Sequence, residues 1–370
     1  MVFTHLQKIP TNCACHPPVA SDKLLDRMTQ ASATALSISC KAVSMNRHQL
    51  QLQRPWRRRG GWTMTELLVV IAISGVVGSL TLAAVQQARE SSRKLGCSSN
   101  LRQIGLAVAN YESQYGCFPH GAVRGYGYSV AILGFLEQAA LLERVDLSVA
   151  PEDNSSLSGT ELPIWRCPSE SAPRIRKVGS PAKTWASTNY FGNSGTWWPL
   201  NGMDGIFRYD DGTHGGNPHS GPVRPSDVSR GLANTSLIAE AKSGDGIGGR
   251  LSVAWELPRS YSATELDAFV GNCSALPKNP AQAGWRGDTF RRGFPWARGN
   301  MAITLFNHVS TPNQPSCLNR NSLSDAISTA SSNHSGGVNV VACDGHVAFV
   351  VDSIDLAAWR TRGSRNPDSN

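Results

Sequence analysis

The sequence lacks the short motifs that mark common catalytic sites. It contains no nucleophile elbow, no P-loop, no HExxH and no CxxC, and its nine histidines show no spacing typical of metal ligands. These absences exclude the enzyme classes that such motifs identify. We therefore expect a protein that is not an enzyme and that uses no cofactor.

Acidic residues are scarce at the start of the chain. Residues 1–61 contain nine Lys or Arg but two acids, so the net charge of +8 divides into +7 for this segment and +1 for the rest. A nearly neutral body shows no basic stripe of the kind that binds nucleic acid. No nucleic-acid partner is expected.

Long apolar runs are also absent, with one exception. Residues 67–85 contain no charged residue, Pro, Asn or Gln, and as a helix they would span about 29 Å, the thickness of a bilayer's hydrocarbon core. The preceding segment is basic, which by the positive-inside rule keeps the N-terminus cytoplasmic and exports the body. Glu66 lies at the edge of the run, where a carboxylate requires the membrane interface or a cation.

The basic segment, Gly61, Trp62, Glu66 and the apolar run together resemble the signal of type IV prepilins and pseudopilins. The resemblance implies that a prepilin peptidase cuts between Gly61 and Trp62 and that Trp62 becomes the methylated terminus. It also implies that Glu66 pairs with a subunit's terminal amine during assembly. The chain departs from the family in having Trp where Phe is usual, Ala83 where Pro is frequent, and a long leader. A start at Met45 would give a leader of ordinary length.

The polar segment after residue 85 carries an apolar stripe at helical spacing. The stripe consists of Cys97, Leu101, Ile104, Val108, Tyr111 and Tyr115. This spacing predicts one helix from about Thr65 to Tyr115, with its second half packed on a globular domain. Gly116 and Pro119 are expected to end it.

Residues 117–360 read as short apolar runs separated by Gly, Pro, Asn and Asp, a pattern typical of strands and long loops. Strands are predicted at 236–240, 250–255, 301–306, 338–343 and 346–351. The Asp344-Gly345 pair predicts a two-residue type I′ turn between the last two strands. Residues 128–144 are predicted to form a helix.

The predicted fold class is therefore α+β and pilin-like, with a long N-terminal helix packed on an antiparallel β-sheet head with long loops. The predicted organisation is a leader at 1–61, a helix at 62–116 that spans the membrane at about 67–85, and a head at 117–360. A C-terminal tail follows at 361–370.

Further segments resemble a large prepilin-like family of unknown function, domain of unknown function 1559, abundant in planctomycete-type bacteria. The matching segments are 97–107, 110–111, 118–119, 165–169, 189–192, 227–240 and 332–345. The last contains the family signature of His334, nine residues, and Asp344-Gly345. Under the hairpin prediction His334 and Asp344 lie at opposite ends of a strand, so we interpret the motif as structural rather than as a catalytic pair.

Six cysteines remain after removal of the leader, an even number compatible with up to three disulfides and equally with buried thiols. The candidates are Cys97, Cys117, Cys167, Cys273, Cys317 and Cys343. Cys97 and Cys117 would lie about 30 Å apart along one helix, so they are not expected to pair with each other.

Acidic, Gly-rich loops occur at Asp204-Gly205, at Asp210-Asp211 and at Asp245-Gly246. Asp210 and Asp211 are candidates for a calcium site, because some pseudopilins bind calcium in a head loop. Most Asp-Gly pairs are simply turns, and no other metal site is predicted.

The sequence thus favours a structural subunit of a type IV pilus or type II secretion pseudopilus, in the inner membrane with its head periplasmic or in a filament. Its expected partners are the prepilin peptidase, other pilin-like subunits and the membrane. One alternative is a single-pass anchor for a periplasmic or surface domain that binds a ligand or acts as an enzyme. Another is secretion after cleavage at Ala83, although the Thr81-x-Ala83 site fits poorly.

Overall fold

The computed structural model describes residues 61–196, 203–209, 221–288 and 291–366. The predicted leader before Gly61, the alternative start at Met45, and the calcium candidates Asp210 and Asp211 lie outside these residues. The described chain forms two compact units, one ending at Val85 and the other beginning at Gln86.

A single helix, α1, spans Met64–Tyr115. This confirms the predicted helix and its end. Gly116 follows with a φ of 71°, a left-handed conformation that glycine adopts without a Cβ clash. Its N–H donates to the carbonyl of Glu112 at 2.7 Å, which closes the last turn.

In the unit that ends at Val85, the helix exposes its apolar side chains on every side. The exposed large apolar residues are Leu67, Leu68, Val69, Val70, Ile71, Ile73, Val76, Val77, Leu80, Leu82 and Val85. The helix is long and apolar enough to cross a membrane. It is therefore compatible with a single-pass membrane anchor.

In the unit that begins at Gln86, α1 buries the predicted stripe. The buried positions are Cys97, Leu101, Ile104, Gly105, Ala107, Val108 and Tyr111, and Tyr115 packs partly buried against the same core. This face meets a sheet of the head: Asn100 donates to the hydroxyl of Tyr190, which in turn donates to the carbonyl of Cys97 at 3.4 Å.

The head contains thirteen strands in its described part. They are β1 Ala122–Val123, β2 Tyr126–Gly127, β3 Ile175–Val178, β4 Lys183–Ala186, β5 Tyr190–Asn193, β6 Ser236–Glu240, β7 Ala254–Glu256, β8 Gly287–Asp288, β9 Leu305–Phe306, β10 Ser316–Asn319, β11 Ser322–Ile327, β12 Gly337–Ala342 and β13 Val347–Val351. Two larger sheets have the orders β13-β12-β6-β5-β9 and β11-β10-β7-β8, while β1-β2 and β3-β4 form separate hairpins.

Most strand pairs are antiparallel, as predicted. Two pairs are parallel, β5 with β9 and β10 with β7. The head is thus a mixed α+β structure in which the five-stranded sheet carries the fully buried strands β5, β6, β9 and β12. The predicted fold class is confirmed.

The other described α-helices are short. They are α2 Tyr128–Ala131, α3 Ala139–Leu142, α4 Ser155–Ser158, α5 Leu266–Ser274 and α6 Leu356–Gly363. The single helix predicted over 128–144 is wrong: α2 is followed by a 3-10 turn at Leu133–Leu136 and then by α3. Glu137 has a φ of 59°, and a left-handed residue cannot continue a right-handed helix.

Two strand predictions were too long. Strand β7 begins at Ala254 rather than at residue 250, and β9 covers Leu305–Phe306 alone rather than 301–306. The predicted strand at 236–240 is confirmed without change. The side chains at 301–304 are buried in a turn, so their apolar character reflects the core and not a strand.

The predicted hairpin between β12 and β13 is present, but its two-residue type I′ turn is wrong. Gly345 has a φ of 88°, whereas Asp344 has no positive φ. The Gly345 N–H donates to the Ala342 carbonyl at 2.9 Å, and the Ala342 N–H donates to the His346 carbonyl at 2.9 Å. This is a three-residue loop that ends in a left-handed glycine, the second common hairpin type.

Candidate functional site

The predicted processing site lies at the start of the described chain. Gly61 and Trp62 precede α1 and are exposed, with Trp62 at 75%. Glu66 lies in the first turn of the helix. A peptide bond in such an accessible segment, before the first helical residue, can be reached by a protease, and its cleavage stays a prediction.

Glu66 has a partner in its own helix turn. Its carboxylate accepts hydrogen bonds from the Thr63 N–H at 2.8 Å and from the Thr63 hydroxyl at 3.0 Å. The Glu66 N–H donates to the same hydroxyl at 3.3 Å. This is a reciprocal capping box, which satisfies donors that a helix start leaves without an intrahelical acceptor.

A second site lies in the head, around His334 in the loop before β12. The imidazole is 1% exposed and lies between two carboxylates. Its Nδ1 is 2.8 Å from Glu90 Oε1 on α1, and its Nε2 is 3.3 Å from Glu240 Oε1 at the end of β6. Burial alone lowers the pKa of His334, but the hydrogen bonds and charges of Glu240 and Glu90 raise it above the ordinary value.

The two carboxylates are held by further groups. Glu240, also buried, accepts hydrogen bonds from the backbone N–H of Asn339 at 2.8 Å and from its side-chain amide at 3.0 Å. Glu90 is partly exposed and forms an ion pair with Arg93 at 2.6 Å. The imidazole therefore joins α1, β6 and the loop before β12.

A disulfide lies against the same imidazole. Cys97 on α1 is bonded to Cys167, and the Cys167 sulfur is 3.6 Å from His334 Nε2. One ligand atom from each of Cys97, Cys167, Glu240 and His334 lies within 4.8 Å of the others, and all four residues are buried. We call these four residues the clamp cluster.

The signature residues Asp344 and Gly345 do not join the clamp cluster. The Asp344 carboxylate lies in the hairpin loop, where Oδ1 is 2.6 Å from Nδ1 of His346 and 3.1 Å from its backbone N. Gly345 supplies the left-handed position of the same loop. The whole of β12 thus separates His334 from Asp344. His334 contacts Glu90 and Glu240, whereas Asp344 contacts His346.

The other cysteine candidates have different roles. Cys273 on α5 is bonded to Cys317 on β10, so a second disulfide joins the helix to the four-stranded sheet. Cys343, proposed as a disulfide candidate, is instead a buried free thiol whose pKa is raised by burial and by Asp344. Cys117 is buried where the chain leaves α1.

The acidic loops that the structure describes use their carboxylates locally. Asp204 accepts hydrogen bonds from the Thr196 N–H at 2.7 Å and from its hydroxyl at 3.0 Å. Asp245 accepts from the backbone N–H groups of Ile247, Gly248 and Gly249. The Asp245 contacts are turn contacts of the kind that Asp forms at loop starts, whereas the Asp204 contacts join two segments eight positions apart.

The sequence pattern alone does not bring the clamp cluster together. It leaves the pairing of the six cysteines open and places His334 at a strand entry, and no motif predicts a role for Glu90 or Glu240. A signal was nevertheless present, since Cys97, Cys167, Glu240 and His334 all lie in segments quoted for the family resemblance.

The comparisons with known proteins give one family. A family model described as "Protein of unknown function (DUF1559)" matches residues 86–357, most of the chain. Neither a curated protein nor a solved structure matches the sequence detectably.

Proposed function

Because the chain belongs to the DUF1559 family of proteins of unknown function, a prepilin-like family, we propose that it is a non-enzymatic structural subunit. It is inserted with its N-terminus in the cytoplasm and cut between Gly61 and Trp62 by a prepilin peptidase. It then assembles through α1 into a type IV pilus or a type II secretion pseudopilus.

The observation that carries this proposal is the exposed apolar surface of α1. Side chains between Leu67 and Val85 are exposed around the whole helix, a surface that must be covered by lipid or by other helices. Beyond the apolar run, Leu95 and Leu106 are 71% and 60% exposed. They are eleven residues apart, three turns, so they lie on one side of the helix.

Small residues allow close approach between such helices. Gly75 and Gly78 have no atom within 4 Å of where a Cβ would stand, and Ser74 and Ser79 flank them. Small residues at helix contacts let backbones pack closely in a membrane. A bundle of α1 helices is the arrangement that a pilin-like filament requires.

The capping box supports a second candidate, a single-pass anchor for a head of other function. Since Thr63 already provides hydrogen-bond donors to Glu66, the glutamate has a structural role in a lone helix. In that case it needs no terminal amine from another subunit. The two candidates differ in what the charge of Glu66 does.

Two variants separate the charge of Glu66 from its capping role. Glu66→Gln removes the charge but keeps a capping box, because Gln serves at this position, whereas Thr63→Ala removes the cap and keeps the charge. The filament proposal predicts that Glu66→Gln inserts into the membrane but is lost from the sheared filament fraction, while Thr63→Ala assembles. An anchor predicts that neither variant changes the distribution of the protein.

The processing step is tested independently by N-terminal sequencing and intact mass of the membrane-extracted protein. We expect the mature protein to begin at Trp62. When the prepilin peptidase is deleted, the chain should remain uncut. A mature terminus elsewhere would overturn the proposal.

A further inference from the structure

The clamp cluster contains two sulfurs, one imidazole nitrogen and one carboxylate oxygen around a common centre. These are the donors that zinc uses in proteins, normally four of them in a tetrahedron. In the structure the two sulfurs are joined as a disulfide. We propose that the reduced chain binds a zinc ion through Cys97, Cys167, Glu240 and His334, so that the disulfide and the metal are alternative forms of one clamp.

The distances around His334 already suit such a site. With Zn–N of about 2.0–2.1 Å and Zn–S of about 2.3 Å, two tetrahedral ligand atoms stand about 3.4–3.8 Å apart. The Nε2 atom of His334 is 3.6 Å from the Cys167 sulfur and 3.3 Å from Glu240 Oε1. All four ligand atoms lie within 4.8 Å of one another, so zinc binding requires the two sulfurs to separate after reduction and any wider pair to close to this range.

The imidazole is also oriented as zinc ligands commonly are. A histidine that binds metal through one nitrogen usually has the other held by a carboxylate, which fixes the ring and its tautomer. Glu90 provides this contact at Nδ1, 2.8 Å away, and directs Nε2 toward the two cysteines. Glu90 is thus a positioning residue of the proposed site rather than a ligand.

Burial favours a bound metal ion over two free thiols at this position. The four residues are buried, with Cys97 at 0% and His334 at 4% exposed. Once the disulfide is reduced, its sulfurs stay beside the His334 imidazole and the Glu240 carboxylate, and a dication balances the negative charges of the thiolates and the carboxylate there. The cluster therefore joins α1 to strand β6 and to two loops of the head in either form.

The disulfide takes up two electrons and two protons to give two thiols, and a dithiol reductant supplies both as it becomes a disulfide itself. Zinc then replaces the two thiol protons and the proton that His334 Nε2 directs at Glu240, and all three are released to solvent. Oxidation of the two thiolates by a disulfide oxidant reverses the step and releases the ion. This inference does not depend on assembly into a filament.

The test measures zinc on the full chain in detergent, with and without reduction. The protein is reduced with a phosphine, which takes up oxygen from water and binds zinc weakly, then incubated with zinc chloride and separated by gel filtration. We expect about one zinc per reduced chain by atomic emission, and less than about a tenth of that for the oxidised chain. Cobalt in place of zinc should give a thiolate-to-metal charge-transfer absorption.

The second disulfide offers a matched control. The double variant Cys273→Ser/Cys317→Ser should keep the zinc, whereas Cys97→Ser/Cys167→Ser should lose it. Glu90→Gln, which removes only the orienting carboxylate, should weaken zinc binding about 10–100-fold. Because the Cys97/Cys167 variant could unfold, His334→Gln in the otherwise intact chain provides a second test, with the circular dichroism spectrum as the folding control.

Two results would overturn the proposal. One is a reduced wild-type chain that remains folded and retains no zinc. The other is zinc retained equally by the wild type, by the Cys97/Cys167 variant and by His334→Gln, which would place the ion elsewhere.

Discussion

His334 and Glu90 are separated by 244 positions in the chain, yet Nδ1 of one lies 2.8 Å from Oε1 of the other. The contact joins the loop before β12 to the long helix at a point seven residues before Cys97 of the disulfide. It gives the histidine of the family signature a structural contact with the helix. The imidazole is a cross-link between the helix and the sheet of the head.

Removal of the imidazole should cost far more stability than removal of its helix partner. His334→Ala leaves the Glu240 carboxylate, 2% exposed, without the imidazole beside it, and removing a partner of a buried charged group costs at least about 1–3 kcal/mol. Glu90 is 37% exposed, so water replaces much of the hydrogen bonding that Glu90→Ala removes. The free energy of unfolding should therefore fall by about 1 kcal/mol or less. Denaturant unfolding of the oxidised chain measures both. Equal losses would contradict the assigned roles.

Because α1 packs closely on the sheet, a larger side chain should destabilise the head at some positions of α1 and not at others. A Cβ at Gly105 would stand 2.9 Å from Cγ2 of Val341 on β12, so Gly105→Leu should lower the free energy of unfolding of the head by about 1–3 kcal/mol through overpacking. Gly75→Leu is the control, because nothing lies within 4 Å of that position. Thermal unfolding of the two variants should differ, and similar melting temperatures would show that the helix does not pack there.

A buried histidine should make the head sensitive to acid. Burial, and secondarily the charge of Arg362, lower the pKa of His308 to about 3, and its Nε2 lies 3.1 Å from Ser236 Oγ. The unfolded chain takes up a proton near pH 6.5 while the folded chain does not, so stability is complete above pH 6.5 and falls as the pH falls toward 3. The slope should be about 1.4 kcal/mol per pH unit in that window.

The variant His308→Gln isolates this contribution, since glutamine offers hydrogen-bonding atoms but does not titrate. Unfolding midpoints between pH 7 and pH 5 should change less in the variant than in the wild type. An unchanged slope would assign the acid sensitivity to other groups.

The disulfide between Cys273 and Cys317 should stabilise the part of the head around α5. It closes a loop with a sequence separation of 44, for which the chain-entropy account gives about 4 kcal/mol. We expect Cys273→Ala/Cys317→Ala to lower the denaturant midpoint by a corresponding amount without changing the near-ultraviolet signal of the native state. The measurement is equilibrium unfolding under non-reducing conditions, and an unchanged midpoint would contradict the expectation.

The local sequence pattern was sufficient to predict some helices and strands of this fold, but not others. The spacing of Leu101, Ile104 and Val108 predicted the buried face of α1, because a helix repeats every 3.6 residues whatever it packs against. The segment 128–144 is equally apolar, yet it breaks at Glu137 into short pieces. There the packing of the core prevailed over helix propensity, which is a weak preference of less than about 1 kcal/mol per residue.

The sequence by itself determined the apolar run, the charge difference between residues 1–61 and the rest, the helix from Met64 to Tyr115 and the α+β class, since composition and periodicity are local properties. Only the tertiary structure decided which cysteines pair and that His334 lies between Glu90 and Glu240. Those contacts join residues 44 to 244 positions apart. No local period encodes such separations, because they follow from how the helix and the five-stranded sheet pack together.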